Sequence, residues 1–312
     1  RLMLDGRVVE WPELLTGRFG IEPEPLQLHL PKTLLTLGRI WPFKPIVPAT
    51  EAMRYRDPNR LADAVAADPG ALGIVPLSRI GNATPLVLAG PCGRVLPATA
   101  ARVKAEDYPL VEPVFIQRLD PVQPRLVRDF IAYAQSAAAQ PVIRRTGMID
   151  QSIGRIAFSE QGDRLAGAIL SAEADPVAEA EVRRLIRAFA TGERLTLTFR
   201  FEDGEAVLDA PSRSNIRQLA EAIVAGAFLD QELLFAGFTD GQGAAEPNLR
   251  LSSKRATGVA EAVKRLIGDS PQRIATGGFG EVLPMACDDT HWGREINRRV
   301  EGWLRDPPAP SD

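Results

Sequence analysis

At 312 residues the chain exceeds what one ordinary core accommodates, so two domains are the first expectation. A formal net charge of −3 offers no basic surface for nucleic acid, and no stretch approaches the ~18 apolar residues of a membrane-spanning helix. His29 and His291 are the only histidines and no C-x-x-C spacing occurs, so neither a metal centre nor a resident cofactor is expected. The chain opens on Arg1 without a signal-peptide pattern, which reads as a processed or truncated chain.

Residues 1–50 are dense in proline. Leu26, Leu28 and Leu30 alternate with Gln27 and His29, the pattern of a half-buried strand with His29 on its solvent side. Residues 57–68 read as a helix: Asp57 is the N-cap, Pro58 the first helical residue, and Leu61, Ala62 and Val65 form its apolar face. Asp68-Pro69-Gly70 stops it, and Ala71–Val75 reads as a buried strand. Leu86–Leu88 and Val114–Ile116 read as further strands, and Phe130, Ile131, Tyr133 and Ala134 mark another helix.

Several of these pieces form a pattern: Leu4, Gly6, Arg7 and Trp11, then Ala62, Val65, Asp68-Pro69 and Leu72-Gly73-Ile74-Val75, then Tyr108-Pro109-Leu110, Phe130, Ser136, Gln140 and Gly147-Met148-Ile149. Residues 1–150 so spaced resemble the second lobe of PstS-like phosphate-binding periplasmic proteins. The resemblance implies an incomplete type II periplasmic-binding-protein-like lobe and a small anion as ligand. Lys32, Thr33 and Arg39 are the candidate anion contacts. Proteins of this kind hold oxyanions with a Ser-Gly-Thr loop at a helix N-terminus, whereas residues 30–42 here carry Leu34, Leu35 and Leu37. High-affinity phosphate binding is therefore expected to be lost.

Residues 151–191 read as a packed connector or as the first element of the next domain. Asp175-Pro176 opens a helix with Val182, Leu185, Ile186 and Phe189 at helical spacing, and Gly192 lies just past its end. From Arg194 the pattern turns to alternation, with Leu195, Leu197, Phe199 and Phe201 on one side and Thr196, Thr198 and Arg200 on the other. A helix around Ile216–Val224, a strand at Leu233–Ala236, a helix at Leu251–Ile267, a strand about Ile274, a helix at His291–Asn297 and a strand at Arg298–Leu304 follow. This order predicts a sheet with helices on one face over residues 192–305. Residues 306–312 read as a disordered tail by composition.

The most informative stretch is Gly237-Phe238-Thr239-Asp240-Gly241, followed by Asn248, Leu251-Ser252 and Arg255-Ala256. Asp240 leaves a strand end and Arg255 sits in the first turns of the next helix. A carboxylate and a guanidinium so placed suit a zwitterion, one taking an ammonium and the other gripping a carboxylate. These motifs, with Gly278-Phe279-Gly280-Glu281, Pro284, Thr290, Gly293-Arg294 and Asn297-Arg298-Arg299-Val300-Glu301, resemble the OmpA-like peptidoglycan-binding domain. The family usually carries His where this chain has Phe238. The resemblance implies an OmpA-C-like α/β sandwich in the periplasm or cell envelope that binds the diaminopimelate of peptidoglycan through Asp240 and Arg255, with Thr239 and Asn248 assisting. The overall reading is a cell-wall anchor with a solute-binding-like module; the alternative is a solute receptor tethered to the wall.

No catalytic site is expected. Cys92 beside Gly90-Pro91, and Asp288-Asp289 near His291, lack the nucleophile, base and orienting group that catalysis requires, and Asp288-Asp289-Thr290 reads as the turn before the last helix. Cys92 and Cys287, assigned to different domains, are expected to be unpaired thiols.

Overall fold

The computed structural model describes residues 27–31, 52–89, 95–108, 110–111, 114, 116, 122–172, 176–201 and 207–307. Contacts divide the chain into two compact units, residues 1–86 with 109–152, and residues 87–108 with 153–312.

In the first unit, strands β1 (Gln27–Pro31) and β2 (Met53–Tyr55), helix α1 (Pro58–Ala67) and strand β3 (Ala71–Gly73) form a parallel sheet of order β2-β1-β3. Helix α1 begins where the sequence places it, because the Asp57 carboxylate accepts the Asn59 N–H at 2.9 Å and Pro58 presets the first turn. Leu30, Leu61 and Ala62 are its core. His29, expected at the surface, is instead buried. Its ring stacks on Tyr55, Nδ1 lies 3.1 Å from the Tyr55 hydroxyl, and burial lowers its pKa. The strand expected at Val114–Ile116 does not form at the described residues, where Val114 and Ile116 are exposed.

The second unit continues with β4 (Leu88–Ala89), β5 (Val95–Leu96) and α2 (Ala100–Lys104), while α3 (Arg125–Gln135) and α4 (Gln140–Arg145) belong to the first. Then come β6 (Arg155–Ala157), α5 (Gly162–Ala172), α6 (Pro176–Phe189), β7 (Glu193–Arg200), α7 (Ala210–Val224), β8 (Glu232–Gly237), α8 (Ala245–Ile267), β9 (Arg273–Gly278), α9 (His291–Asn297) and β10 (Arg299–Arg305). The five-stranded sheet has the order β6-β7-β10-β8-β9 and is antiparallel except for β8 with β9.

This sheet is covered on both faces, not on one. Leu195, Leu197, Phe199, Leu233, Phe235, Val300 and Leu304 bury the first face against α7 and α8. Leu234, Ala236, Phe238 and Trp303 bury the second face against Ala168 and Ala172 of α5 and Val182, Leu185 and Phe189 of α6. The residues read as a connector thus supply one layer of the C-terminal unit. The polar side of β7 is buried too, at Arg194, Thr196 and Thr198. Arg194 donates to Asp107 Oδ2 at 2.7 Å and the Thr198 hydroxyl to the Ala105 carbonyl at 2.7 Å, so the segment after α2 lies on this face.

At the centre of the second face stands Glu301, with no exposed surface. Its Oε1 accepts from Arg164 at 2.6 Å and Arg299 at 2.7 Å; its Oε2 accepts from Trp303 Nε1 at 3.1 Å and lies 3.3 Å from Arg194 Nε. Although burial opposes its charge, Arg164, Arg194 and Arg299 hold its pKa well below the usual carboxylate value.

The cysteines require a correction. Cys287 is disulfide-bonded, against the expectation of unpaired thiols, and Cys92 lies outside the described residues.

Two outcomes test this architecture. A fragment of residues 192–305 lacks α5 and α6 and leaves Leu234, Phe238 and Trp303 uncovered, so it is expected to aggregate or melt without a cooperative transition, while residues 87–312 melt cooperatively. A monomeric 192–305 with a sharp transition by circular dichroism would show that the second layer is dispensable. Glu301→Gln in the full chain takes the carboxylate from buried Arg164 and Arg299, while Arg194 keeps Asp107, and is expected to cost about 3–5 kcal/mol at neutral pH by urea denaturation. Because the folded pKa of Glu301 is depressed, its stabilising share is present above about pH 4.5 and is lost as pH falls through the lower folded value. The gap between wild type and variant is therefore expected to narrow in acid.

Candidate functional site

Strand β8 ends at Gly237, where a Cβ would lie 2.0 Å from the Ser252 carbonyl oxygen; at the end of β9, a Cβ on Gly278 would meet Ser253 N at 2.4 Å. The two glycines let α8 approach the sheet at backbone distance. That close approach brings the third turn of α8, with Arg255, beside the β8 exit. The helix starts at Ala245, so Arg255 lies deeper in it than the sequence reading placed it.

The exit itself is held strand by strand. Phe238 N donates to the Arg299 carbonyl at 2.8 Å and Thr239 N to the Gly280 carbonyl at 2.8 Å. Asp240 then turns the chain: its Oδ1 accepts the Gln242 N–H at 3.2 Å, and Gly241 N donates to Asp288 Oδ2 at 2.6 Å. Asn248, buried on α8, spans the turn. Its Nδ2 donates to the carbonyls of Asp240 (3.4 Å) and Gln242 (3.1 Å) and to Glu281 Oε2 (2.8 Å). Asn248 is thus a brace of the site.

The charged groups are arranged unevenly. Asp240 Oδ2 accepts from Arg298 Nη1 at 3.0 Å, and both side chains are largely shielded from solvent. Arg255 lies with its guanidinium 5.4 Å from the centre of the Phe201 ring, and its Nη1 is buried without a hydrogen-bond partner. Burial lowers the Arg255 pKa, the Arg298 charge lowers it further, and Asp240 opposes both. The Thr239 hydroxyl is likewise buried and without a partner. Unsatisfied buried donors are uncommon in folded proteins, and here two flank one carboxylate. The arrangement can receive a small ligand carrying both an acceptor-rich anion and a cation.

Of the residues that the sequence reading proposed, Thr239 and Asp240 lie at the β8 exit, Asn248 spans the turn that follows, and Arg255 stands on α8 within the reach of the Asp240 charge. Lys32, Thr33 and Arg39 lie outside the described residues. Arg298, Glu281 and Asp288 were missed as site residues. The first two stand in the quoted motifs without a role. Asp288 was read only as part of a turn, yet besides Gly241 it accepts Asn297 Nδ2 at 2.6 Å. The turn itself is present: Thr290 caps α9 by accepting the Gly293 N–H at 2.9 Å. Among the described residues no group of three or more His, Cys, Asp or Glu side chains could hold a metal ion, and no helix is long and apolar enough to cross a membrane.

Residues 200–298 match the OmpA family, and the C-terminal domain of this chain is OmpA-like. Outer membrane porin F of Pseudomonas fluorescens is 33% identical over 108 residues, 35% of this chain and 32% of that protein. Peptidoglycan-binding protein ArfA of Mycobacterium bovis is 40% identical over 74 residues, 23% of this chain and 22% of that protein. Among solved structures, the peptidoglycan-associated lipoprotein from Burkholderia pseudomallei is similar at 24% identity with a TM-score of 0.31, covering 35% of this chain and 89% of that chain. The chain spans about a third of the length of the curated relatives it matches first. None of these matches supports the PstS-like reading of residues 1–150.

The Asp288 brace is testable on its own. Asp288→Ala removes the acceptor for Gly241 N and for Asn297, and is expected to cost about 1–3 kcal/mol. Hydrogen exchange at the Gly241 amide is expected to accelerate. Unchanged protection there would show that the turn is held by Asn248 and Arg298 alone.

Proposed function

We propose that this chain is a cell-envelope protein whose C-terminal domain anchors it non-covalently to peptidoglycan, by holding the zwitterionic end of a diaminopimelate side chain. The observation that carries the reading is the pair of buried, unpartnered groups, Arg255 Nη1 and the Thr239 hydroxyl, beside the Asp240 carboxylate. The diaminopimelate end presents an ammonium and a carboxylate on one carbon. Asp240 takes the ammonium through lone pairs that Arg298 and Gln242 leave open, since an ionised carboxylate offers about four acceptor sites. Arg255 takes the carboxylate, which ends its isolation. The match to the OmpA family, and relatives named as outer-membrane and peptidoglycan-binding proteins, support the same ligand class and the same compartment. No step of this function needs a catalytic group.

Residues 1–150 carry a second, solute-binding-like module in this reading. Its support is the parallel β2-β1-β3 sheet with α1 as crossover, the layer type of α/β lobes. A calorimetric titration of the full chain with phosphate tests it, and sub-micromolar binding would make the chain a receptor tethered to the wall.

Co-sedimentation with purified sacculi tests the anchor. Asp240→Ala and Arg255→Ala are each expected to lose at least ~10-fold in affinity, one charge-assisted hydrogen bond being worth about 1.5–3 kcal/mol. The double variant is expected to be less than additive, because each residue serves the same ligand carbon. Wall in which lysine replaces diaminopimelate lacks the second carboxylate and is expected to bind weakly. Equal pelleting with both walls, or full binding by Arg255→Ala, would make the pair structural.

A further inference from the structure

Arg298 gives the site a charge arrangement that its two principal ligand-binding residues alone would not have. Asp240 lies close enough for its charge to act on Arg255, and left to themselves the two would neutralise one another. Instead the Asp240 carboxylate is engaged by Arg298 at 3.0 Å. Arg255 forms no ion pair or hydrogen bond among the described residues, and its Nη1 is buried. The other carboxylates nearby are engaged as well: Glu281 accepts from Asn248 at 2.8 Å, and Asp288 from Gly241 N and Asn297 at 2.6 Å each. Among the described residues, then, this half-buried cation has no anion assigned to it.

Resting on the peptidoglycan reading above, we infer that the site selects the ionised carboxylate of its ligand against the carboxamide of the same residue, and that Arg298 is the positioning residue that creates this selectivity by keeping Asp240 off Arg255. The chemistry is specific. A guanidinium carries donors only, and a carboxylate answers it with acceptors on both oxygens. A carboxamide offers one acceptor oxygen and an NH₂ whose donors would face the guanidinium donors. It also brings no charge, so Arg255 stays uncompensated while water is displaced from it. Sites built to pair a polar group discriminate strongly against analogues that leave it unpaired. Peptidoglycan amidated at this carboxyl is therefore the wall the protein refuses.

The test is calorimetric titration of the full chain with two synthetic stem peptides. Both contain diaminopimelate; in one the carboxyl beside the free ammonium is ionised, and in the other it is the carboxamide. Wild type is expected to prefer the free acid by about 10- to 100-fold. In Arg298→Gln, Asp240 is released to pair with Arg255, so free-acid binding falls and the preference collapses towards one. Arg298→Lys keeps the charge beside Asp240 and is expected to retain most of the preference. A residue with only a structural role would weaken both peptides alike and leave their ratio intact, and that result overturns the role given to Arg298. Equal binding of the two peptides by wild type overturns the selectivity while leaving the anchor standing. No binding of either peptide removes both. Thermal melts confirm that each variant is folded before its ratio is read.

Discussion

The buried carboxylate of Glu301 is the constraint from which the C-terminal unit is built. A charge with no exposed surface at the centre of a sheet is tolerated only when cations and hydrogen-bond donors replace its hydration. Glu301 obtains them from three separate elements: Arg164 on α5, Arg194 on β7 and Arg299 on its own strand β10. Arg194 is in turn matched by Asp107, from a segment far earlier in the chain. Satisfying one carboxylate thus fixes a helix, two strands and a loop on the same face. The second layer of the unit follows from electrostatics as much as from its apolar residues.

The same network reaches the ligand site through Arg299. Its Nη2 donates to the Leu283 carbonyl at 2.8 Å, and its guanidinium lies 4.3 Å from the centre of the Phe238 ring. Leu283 opens the loop that carries Asp288, and Phe238 stands two residues before Asp240. The neighbouring Arg298 then pairs with Asp240 itself. Two consecutive arginines therefore do different work. Arg299, drawn down to a pKa of about 9 by burial, belongs to the interior, while Arg298 belongs to the site. The turn is held by hydrogen bonds from Asn248 and to Asp288 and by the Arg298 ion pair, while Arg255 Nη1 and the Thr239 hydroxyl are left unsatisfied.

What could be read from sequence divides along the range of the interactions. The alternation of Leu195, Leu197 and Phe199, the cap at Asp57 with Pro58, and the spaced glycine, Asp240 and Arg255 motif are local signals, and the elements they announce are present. Thr196, Thr198 and Arg200 were set on the other side of β7, and a two-residue period distinguishes apolar from polar residues there, not exposed from buried. The Thr198 hydroxyl meets the Ala105 carbonyl and the neighbouring Arg194 meets Asp107, each some 90 positions away, and Thr196 accepts the Gly154 N–H; none of these partners leaves a trace in that period. His29 was misplaced for the same reason, its polar contact being Tyr55 on the adjacent strand. The Cys287 disulfide escaped because a thiol's pairing leaves no mark on the local sequence pattern. Arg298 was visible in a motif, but only the geometry shows that it claims Asp240.

Phe238, where the family usually carries histidine, fits this picture. A histidine at a strand exit asks for polar partners. Phe238 is 1% exposed, and its ring stacks on Phe279 at 5.8 Å. Phe279 lies 5.1 Å from Phe189 of α6, and the Arg184 guanidinium of the same helix sits 4.5 Å from its ring centre. Phe189 stacks on Trp303 at 4.1 Å, and Trp303 donates to Glu301. A continuous aromatic path therefore joins the strand exit, α6 and the buried carboxylate. A polar ring at residue 238 would interrupt it and leave a nitrogen unpaired under α6. The departure from the family pattern and the second helical layer are two sides of one packing solution: the layer makes an apolar residue necessary there, and the phenylalanine transmits the layer's rigidity to the turn that holds Asp240.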